Sequence, residues 1–212
     1  MYINIEKKLI VEFEKHMRNN DPSHDIAHAK QVLNHVKKIQ KFEGGDIMVL
    51  IAAALGHDSV IYSKDDPRSP NAPKESSDLT RKILGKFPEY TQDQINLVSQ
   101  CIEQCSFRKT DEPDTIEVKI LRDADKLEAT GIHAIMRTYA SCGQMGKIFY
   151  HPNDPFCEER KCEPFIYALD LFYDRLLVVE SRLYTNTAKE IAVSKTKFLQ
   201  VFLDELKRDL QG

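Results

Sequence analysis

Two short clusters of ionisable residues directly follow apolar stretches of this chain. His57 and Asp58 come after the uninterrupted apolar run Ile47–Leu55 and one glycine, and residues 123–126 crowd two carboxylates and an ammonium together. Ionisable groups beside a buried core cost free energy unless they are paired or bind a metal. A histidine and an aspartate offer one cation an imidazole nitrogen and a carboxylate oxygen, a set that suits magnesium or a divalent transition metal. The clusters therefore indicate a metal site.

A third candidate lies nearer the amino terminus, where His24 and His28 are four residues apart. On a helix this spacing puts both imidazoles on one face. The pair lacks the glutamate of the zinc-protease pattern, so the spacing alone does not define a site. Asp21 or Ser23 can cap the helix that follows.

Bulk composition limits the classes of protein to consider. The chain has 212 residues, enough for one sizeable core, and we expect a single domain. Its 30 basic and 33 acidic residues give a net charge of −3, which predicts no nucleic-acid polymer as a partner. The longest apolar run is too short to span a membrane, and no signal-peptide pattern opens the chain. Five cysteines without a Cys-x-x-Cys pair predict a reduced, cytoplasmic protein.

Hydrophobic spacing is helical along most of the chain, which predicts an all-α bundle of about eight helices. Gly44 and Gly45 should end the second helix before Asp46 caps the third. Further helices are predicted over residues 76–84, 91–105, 116–139 and 165–210, and an interruption at Gly131 stays open. Two proline-rich segments, 62–74 and 143–164, are predicted loops, and the first should overhang the His57–Asp58 site.

The order of these clusters resembles that of a known family. His28, then His57–Asp58, then Asp125 is similar to the H…HD…D signature of the HD superfamily of metal-dependent phosphohydrolases, and most similar to a bacterial single-domain subfamily. Further marks of the resemblance are Ser69–Pro70, Glu103, Ser106–Phe107, residues 122–131, residues 150–155, residues 167–170 and residues 189–202. The resemblance implies one all-α HD-type domain over residues 1–212, with an HD core at approximately 20–130 and carboxyl-terminal helices at 163–210.

The resemblance also implies a metal site. The implied ligands are His28, His57, Asp58 and Asp125, which would hold one divalent ion, with Mn²⁺ or Mg²⁺ preferred and other divalent transition metals left open. Asp125 is favoured over Asp123 because, in related deoxynucleotide triphosphohydrolases, the second aspartate of Asp-x-Asp-Lys binds the metal and the lysine meets phosphate.

Other roles follow from the same resemblance. Catalysis would involve Asp58, Asp123 as the group that orients a metal-bound water, and Lys126 as a phosphate contact. His24 and Asp25 resemble residues that line the pocket. The full set of predicted substrate contacts is His24, Lys64, Arg68, Lys126 and His151. This chain departs from the family where a histidine commonly precedes the Ser-Phe pair, because it has Cys105 there, and that change could alter rate or specificity.

The implied reaction is hydrolysis of a nucleotide or another small phosphoester by attack of metal-bound water. Two rival readings stay open at this point. One is a cyclic-nucleotide phosphodiesterase or an alarmone pyrophosphate hydrolase. The other is a metal-dependent nucleotide sensor without turnover. The sequence also leaves a homodimer open.

Overall fold

The computed structural model of the protein describes residues 2–17, 26–62, 66–105 and 112–211. Eight α-helices lie within these ranges: α1 (Tyr2–Glu14), α2 (Ile26–Glu43), α3 (Ile47–Gly56), α4 (Ala72–Leu84), α5 (Gln92–Gln104), α6 (Ile116–Leu127), α7 (Ile132–Gln144) and α8 (Asn186–Gln211). The described ranges contain no β-strand, only an isolated bridge between Ile148 and Tyr167. The all-α prediction is confirmed. None of the described helices is long and apolar enough to cross a membrane.

The described residues form two compact units, one ending at Asp125 and the other beginning at Lys126. Helix α3 is the centre of the first unit and packs against α1, α2, α4 and α5. Every residue from Val49 to Gly56 is buried, as expected for a helix that is apolar on all sides. The apolar run next to His57 is therefore the core of this unit. The prediction of a single domain over residues 1–212 stays a prediction.

Asp46 joins three helices at the start of α3. Its carboxylate accepts a 2.8 Å hydrogen bond from the Met48 N–H and another, also of 2.8 Å, from the side-chain amide of Gln94 in α5. Its own N–H donates to Glu117 Oε1 in α6 over 2.9 Å. These bonds confirm the predicted cap and fix the relative positions of the helices that carry His57 and Asp125.

Glycines end two of the predicted helical stretches. Gly44 and Gly45 adopt φ values of +83° and +88°, a left-handed conformation that side chains disfavour, so α2 ends where it was predicted to. Gly131 has φ +78° and separates α6 from α7, which settles the interruption left open between residues 116 and 139. Helix α4 begins earlier than predicted because Pro73 lies in its first turn, where a missing N–H is harmless.

The second unit corrects the prediction of continuous helix over 165–210. Only α8, from Asn186, is a regular α-helix in that stretch. Before it, the Leu177 N–H bonds to the Phe172 carbonyl five residues back, and this widens the turn into a short π-helix. Phe172 and Leu176 are nevertheless buried, and the Phe172 ring stacks on Phe202 at 5.5 Å. The apolar spacing predicted the burial correctly but could not distinguish this π-helical turn from an α-helix.

Candidate metal centre

The end of α3 presents His57 and Asp58 at the edge of the core. The side chain of His57 is only 3% exposed, and its Nδ1 lies 2.9 Å from the carbonyl oxygen of Ala54. Because a carbonyl can only accept, Nδ1 carries the hydrogen of this bond. That leaves Nε2 as the nitrogen that could bind a metal ion, and metal-ligating histidines are commonly oriented by such a bond from the other ring nitrogen.

Helices α2 and α6 bring the other two predicted ligands to the same place. His28 Nε2 lies 3.4 Å from Asp125 Oδ1 and 3.7 Å from Asp58 Oδ2. His57 Nε2 lies 3.5 Å from Asp58 Oδ2 and 3.7 Å from Asp125 Oδ1. The two imidazole rings are tilted by 59° with their centroids 5.3 Å apart. The four residues predicted as ligands therefore form one cluster of two nitrogens and two oxygens.

This spacing fits a shared cation. Ligand atoms about 2.1 Å from an ion lie about 3.0 Å apart at right angles and about 3.4 Å apart at tetrahedral angles. The observed nitrogen–oxygen distances of 3.4–3.7 Å are slightly wider than this and too long for good hydrogen bonds. Nε2 of His57 is buried and has no hydrogen-bond partner among the residues described. A metal ion bound by this nitrogen would account for the unpaired buried atom.

The charges of the cluster are strongly coupled. Burial acts to lower the pKa of His57, but the carboxylates of Asp58 and Asp125 outweigh it and raise the pKa to about 9. Burial acts to raise the pKa of the Asp125 carboxyl, yet His28 and His57 hold that pKa well below its ordinary range. The carboxylates thus attract positive charge at this point, and a divalent cation would offset both of them.

Cys105 lies next to this centre, at the buried end of α5. Burial raises the pKa of its thiol well above the ordinary value, and the charges of Asp125 and Asp58 raise it further. The thiol is therefore neutral, and it lies within electrostatic range of the same two carboxylates as the histidines. The sequence identified Cys105 as a departure from the family pattern, and its position beside the two aspartates became visible only in the structure.

Asp123 and Lys126, the other two residues of α6 predicted to belong to the site, have different surroundings from Asp125. Asp123 is fully buried and leaves the helix about 200° from Asp125, so the two carboxylates face different directions. The ammonium of Lys126 donates to the Arg182 carbonyl over 2.8 Å and lies 4.4 Å from the centre of the Tyr184 ring. The predicted roles of Asp123 in orienting water and of Lys126 in binding phosphate stay predictions.

Two of the predicted substrate contacts in loops, Arg68 and His151, lie within the described residues, and both form hydrogen bonds with residues close to them in the sequence. Arg68 pairs with Asp66 through two side-chain hydrogen bonds of 3.0 and 2.8 Å. His151 Nδ1 accepts two backbone N–H groups of the turn that follows it, at 3.2 and 3.1 Å. His24 and Lys64 lie outside the described residues. The roles of all four in substrate binding stay predictions.

Comparison with known proteins identifies the family of this chain. The HD domain family matches residues 25–130, a range that holds all four clustered residues. The chain belongs to the HD domain family. This HD-domain protein is 26% identical over 200 residues to the uncharacterized protein YpgQ of Bacillus subtilis, an alignment that covers 92% of the chain and 89% of YpgQ.

Solved structures share the fold over nearly the whole chain. The crystal structure of Bacillus subtilis YpgQ in complex with ADP matches this HD-domain protein with a TM-score of 0.75 and 25% identity, covering 98% of both chains. The Lin1889 protein from Listeria innocua matches with a TM-score of 0.71 and 30% identity over 97% of both chains. An HD-superfamily hydrolase from Bacillus thuringiensis, 23% identical, shows the same fold with a TM-score of 0.74 over the full length of both.

Proposed function

We propose that this HD-domain protein is a metal-dependent phosphohydrolase that transfers a phosphoryl group from a nucleotide, or another small phosphoester, to water. The observation that carries the proposal is the cluster of His28, His57, Asp58 and Asp125. Two imidazole nitrogens and two carboxylate oxygens, from α2, the carboxyl end of α3 and α6, approach one another with nitrogen–oxygen distances of 3.4–3.7 Å. A mixed nitrogen and oxygen set of this kind suits Mn²⁺ or Mg²⁺.

A divalent ion at this point would supply a water of lowered pKa and would polarise a phosphoryl oxygen. The residues of the chain would hold the ion, orient its ligands and limit access of water. The bond from His57 to the Ala54 carbonyl holds the imidazole in the orientation that presents Nε2. Asp58 and Asp125 provide the negative charge that retains the cation. Both histidines have side chains only 3% exposed, so bulk water is kept from that side of the centre.

The choice of a nucleotide as substrate rests on a relative. YpgQ of Bacillus subtilis has been crystallised with ADP, and this chain matches that structure over 98% of its length. A nucleoside phosphate brings two to four negative charges to the centre, so a cationic contact is expected in addition to the metal ion. Lys126, which directly follows the ligand Asp125 in the sequence, is our candidate for that contact.

The test is a screen of phosphorylated metabolites with added Mn²⁺. It should include nucleoside mono-, di- and triphosphates, cyclic nucleotides and guanosine pyrophosphates, with release of phosphate or pyrophosphate and loss of substrate as readouts. Asp125→Ala should lose the activity found. Asp78→Ala is the matched control, because Asp78 is an exposed carboxylate of α4 that pairs with Lys74 at 3.1 Å.

The same screen separates the rival readings. Turnover of a cyclic nucleotide or a guanosine pyrophosphate alone would assign the protein to one of those hydrolase classes. Mn²⁺-dependent nucleotide binding without turnover of any compound would make it a sensor. Equal turnover by the parent and by Asp125→Ala would refute the proposed function.

A further inference from the structure

The second unit holds another group of metal-ligating side chains, in the segment that follows α7. Donor atoms of Cys157, Cys162 and Asp170 all lie within 4.8 Å of one another. We propose that these three residues form a second metal site, specific for a thiophilic divalent cation such as Zn²⁺ and independent of the HD centre. Two sulfur ligands around zinc at about 2.3 Å are separated by about 3.8 Å, so the side chains need only a small adjustment to share one ion.

The loop that carries the two cysteines is held in place by its own hydrogen bonds. The carboxylate of Asp154 accepts the backbone N–H groups of residues 158, 159 and 160, at 2.9, 3.0 and 3.1 Å. Cys157, inside this turn, has φ +54°, a left-handed conformation that costs a non-glycine residue free energy. The turn thus holds Cys157 in an unfavourable backbone conformation, with its sulfur close to the Cys162 sulfur and to a carboxylate oxygen of Asp170. Both cysteines are half-buried, so an ion can reach them.

Asp170 has room for one more bond on one of its oxygens. Its side chain is fully buried, and Arg160 binds it in a bidentate pair with both nitrogen–oxygen distances at 2.6 Å. Oδ2 also accepts the Glu163 N–H at 2.6 Å, which uses both of its lone pairs. Oδ1 keeps a second lone pair, and an oxygen of this carboxylate lies within 4.8 Å of both sulfurs. A cation bound by the Cys157 thiolate would take the place of the thiol proton.

The charges of the site also balance. Binding releases one proton from each thiol, so two thiolates and Asp170 contribute three negative charges against the two positive charges of the ion. The guanidinium of Arg160 supplies the remaining positive charge. Without a metal, burial and the neighbouring Cys162 and Asp170 raise the pKa of the Cys157 thiol above its ordinary value. A cation relieves this repulsion, as it does wherever a thiol coordinates a metal.

The two centres should select different ions. The HD centre offers nitrogen and oxygen ligands, which accept Mn²⁺ and Mg²⁺, whereas two thiolates favour zinc and its spectroscopic substitute cobalt. The fourth position around the ion is left for water or an added thiol. Because all three ligands belong to the unit that begins at Lys126, binding here does not depend on the ligands His28, His57 and Asp58.

The experiment is a Co²⁺ titration of the full-length, reduced, chelator-treated protein that carries Asp58→Ala to disable the HD centre. We expect about one Co²⁺ per chain with thiolate-to-cobalt charge-transfer absorption in the near ultraviolet. Zn²⁺ should displace the cobalt and abolish this band, and excess Mn²⁺ should leave it unchanged. Cys157→Ser and Cys162→Ser should each lose the band, with helix content checked by circular dichroism.

Cys142→Ser is the matched control, since Cys142 lies in the same unit outside the cluster, and it should keep the band. The proposal is overturned if no thiolate band forms, if the band survives in the Cys157 and Cys162 variants, or if the two thiols are consumed as a disulfide while no cobalt stays bound after dialysis. None of these outcomes depends on hydrolysis, so the test is separate from that of the proposed function.

Discussion

Gly56, the residue before His57, has no room for a side chain. A methyl group built on it would overlap Thr80 Oγ1 severely and would lie 3.0 Å from Thr80 Cγ2 and 3.2 Å from Phe13 Cζ. All three residues are buried in the core around α3, where Thr80 and Phe13 are both fully inaccessible to solvent. Gly56→Ala should therefore push the end of α3, and His57 with it, out of position.

The magnitude follows from two opposing effects. Overpacking of a core costs about 1–3 kcal/mol, and replacing a helical glycine with alanine returns up to about 1 kcal/mol. We expect Gly56→Ala to lower the free energy of unfolding by about 1–2 kcal/mol, which for a chain of this size lowers Tm by about 2–8 °C. Thermal denaturation followed by circular dichroism in chelator measures this. The displaced His57 should also weaken Mn²⁺ binding about tenfold.

Two further variants make the experiment decisive. Gly85→Ala is the matched control, because a methyl group there would meet nothing closer than 3.5 Å, and Tm should change little. Thr80→Ala removes both γ atoms, so the double variant with Gly56→Ala should recover stability, with a coupling free energy of about 1–2 kcal/mol. If Gly56→Ala is as stable as the parent, or if Thr80→Ala brings no recovery, the packing argument for the position of His57 is wrong.

Three other predictions concern the neighbourhood of the metal centre. The proton on His57, with a pKa of about 9, competes with the metal, so apparent Mn²⁺ affinity should rise about tenfold from pH 7 to pH 8 and level off above pH 9; a flat profile in a binding titration would contradict the pKa. Lys126→Met removes the ammonium and should keep Mn²⁺ binding but lower kcat/KM by about one to two decades, whereas a lower Tm with unchanged kcat/KM would assign Lys126 a structural role through contacts such as those with Arg182 and Tyr184. Cys105→His should raise turnover at constant Mn²⁺ content, whereas unchanged turnover with a stability loss of about 1–3 kcal/mol would assign Cys105 to packing.

The sequence predicted where His57 and Asp58 lie because the determinants of their position are local. The apolar run before His57 and Asp58 required a buried helix, and residues that follow such a helix directly lie at the edge of the core. Gly44, Gly45 and Asp46 mark helix ends through backbone conformation and capping, which depend on a few adjacent residues. The family resemblance then selected His28 and Asp125 from distant parts of the chain, and the structure brought them together.

What the sequence missed depends on which of several possible contacts a segment makes in the folded chain. Residue spacing does not predict that Arg68 forms an ion pair with Asp66. The π-helical turn at Phe172 buries apolar residues as a regular helix would, so hydrophobic periodicity does not reveal it. The Cys157 and Cys162 thiols looked unrelated to Asp170 because their approach depends on the turn held by Asp154. The five-residue spacing of the two cysteines was the one available signal.

The central claim is that the cluster of two histidines and two aspartates makes hydrolysis depend on a metal ion. The most direct measurement is nucleotide hydrolysis by chelator-treated protein as Mn²⁺ is added back. The account predicts no phosphate release before addition, a rise that saturates at about one Mn²⁺ per chain, and no release by Asp58→Ala at any Mn²⁺ concentration. Full hydrolysis without added metal, or equal hydrolysis by Asp58→Ala, would contradict it.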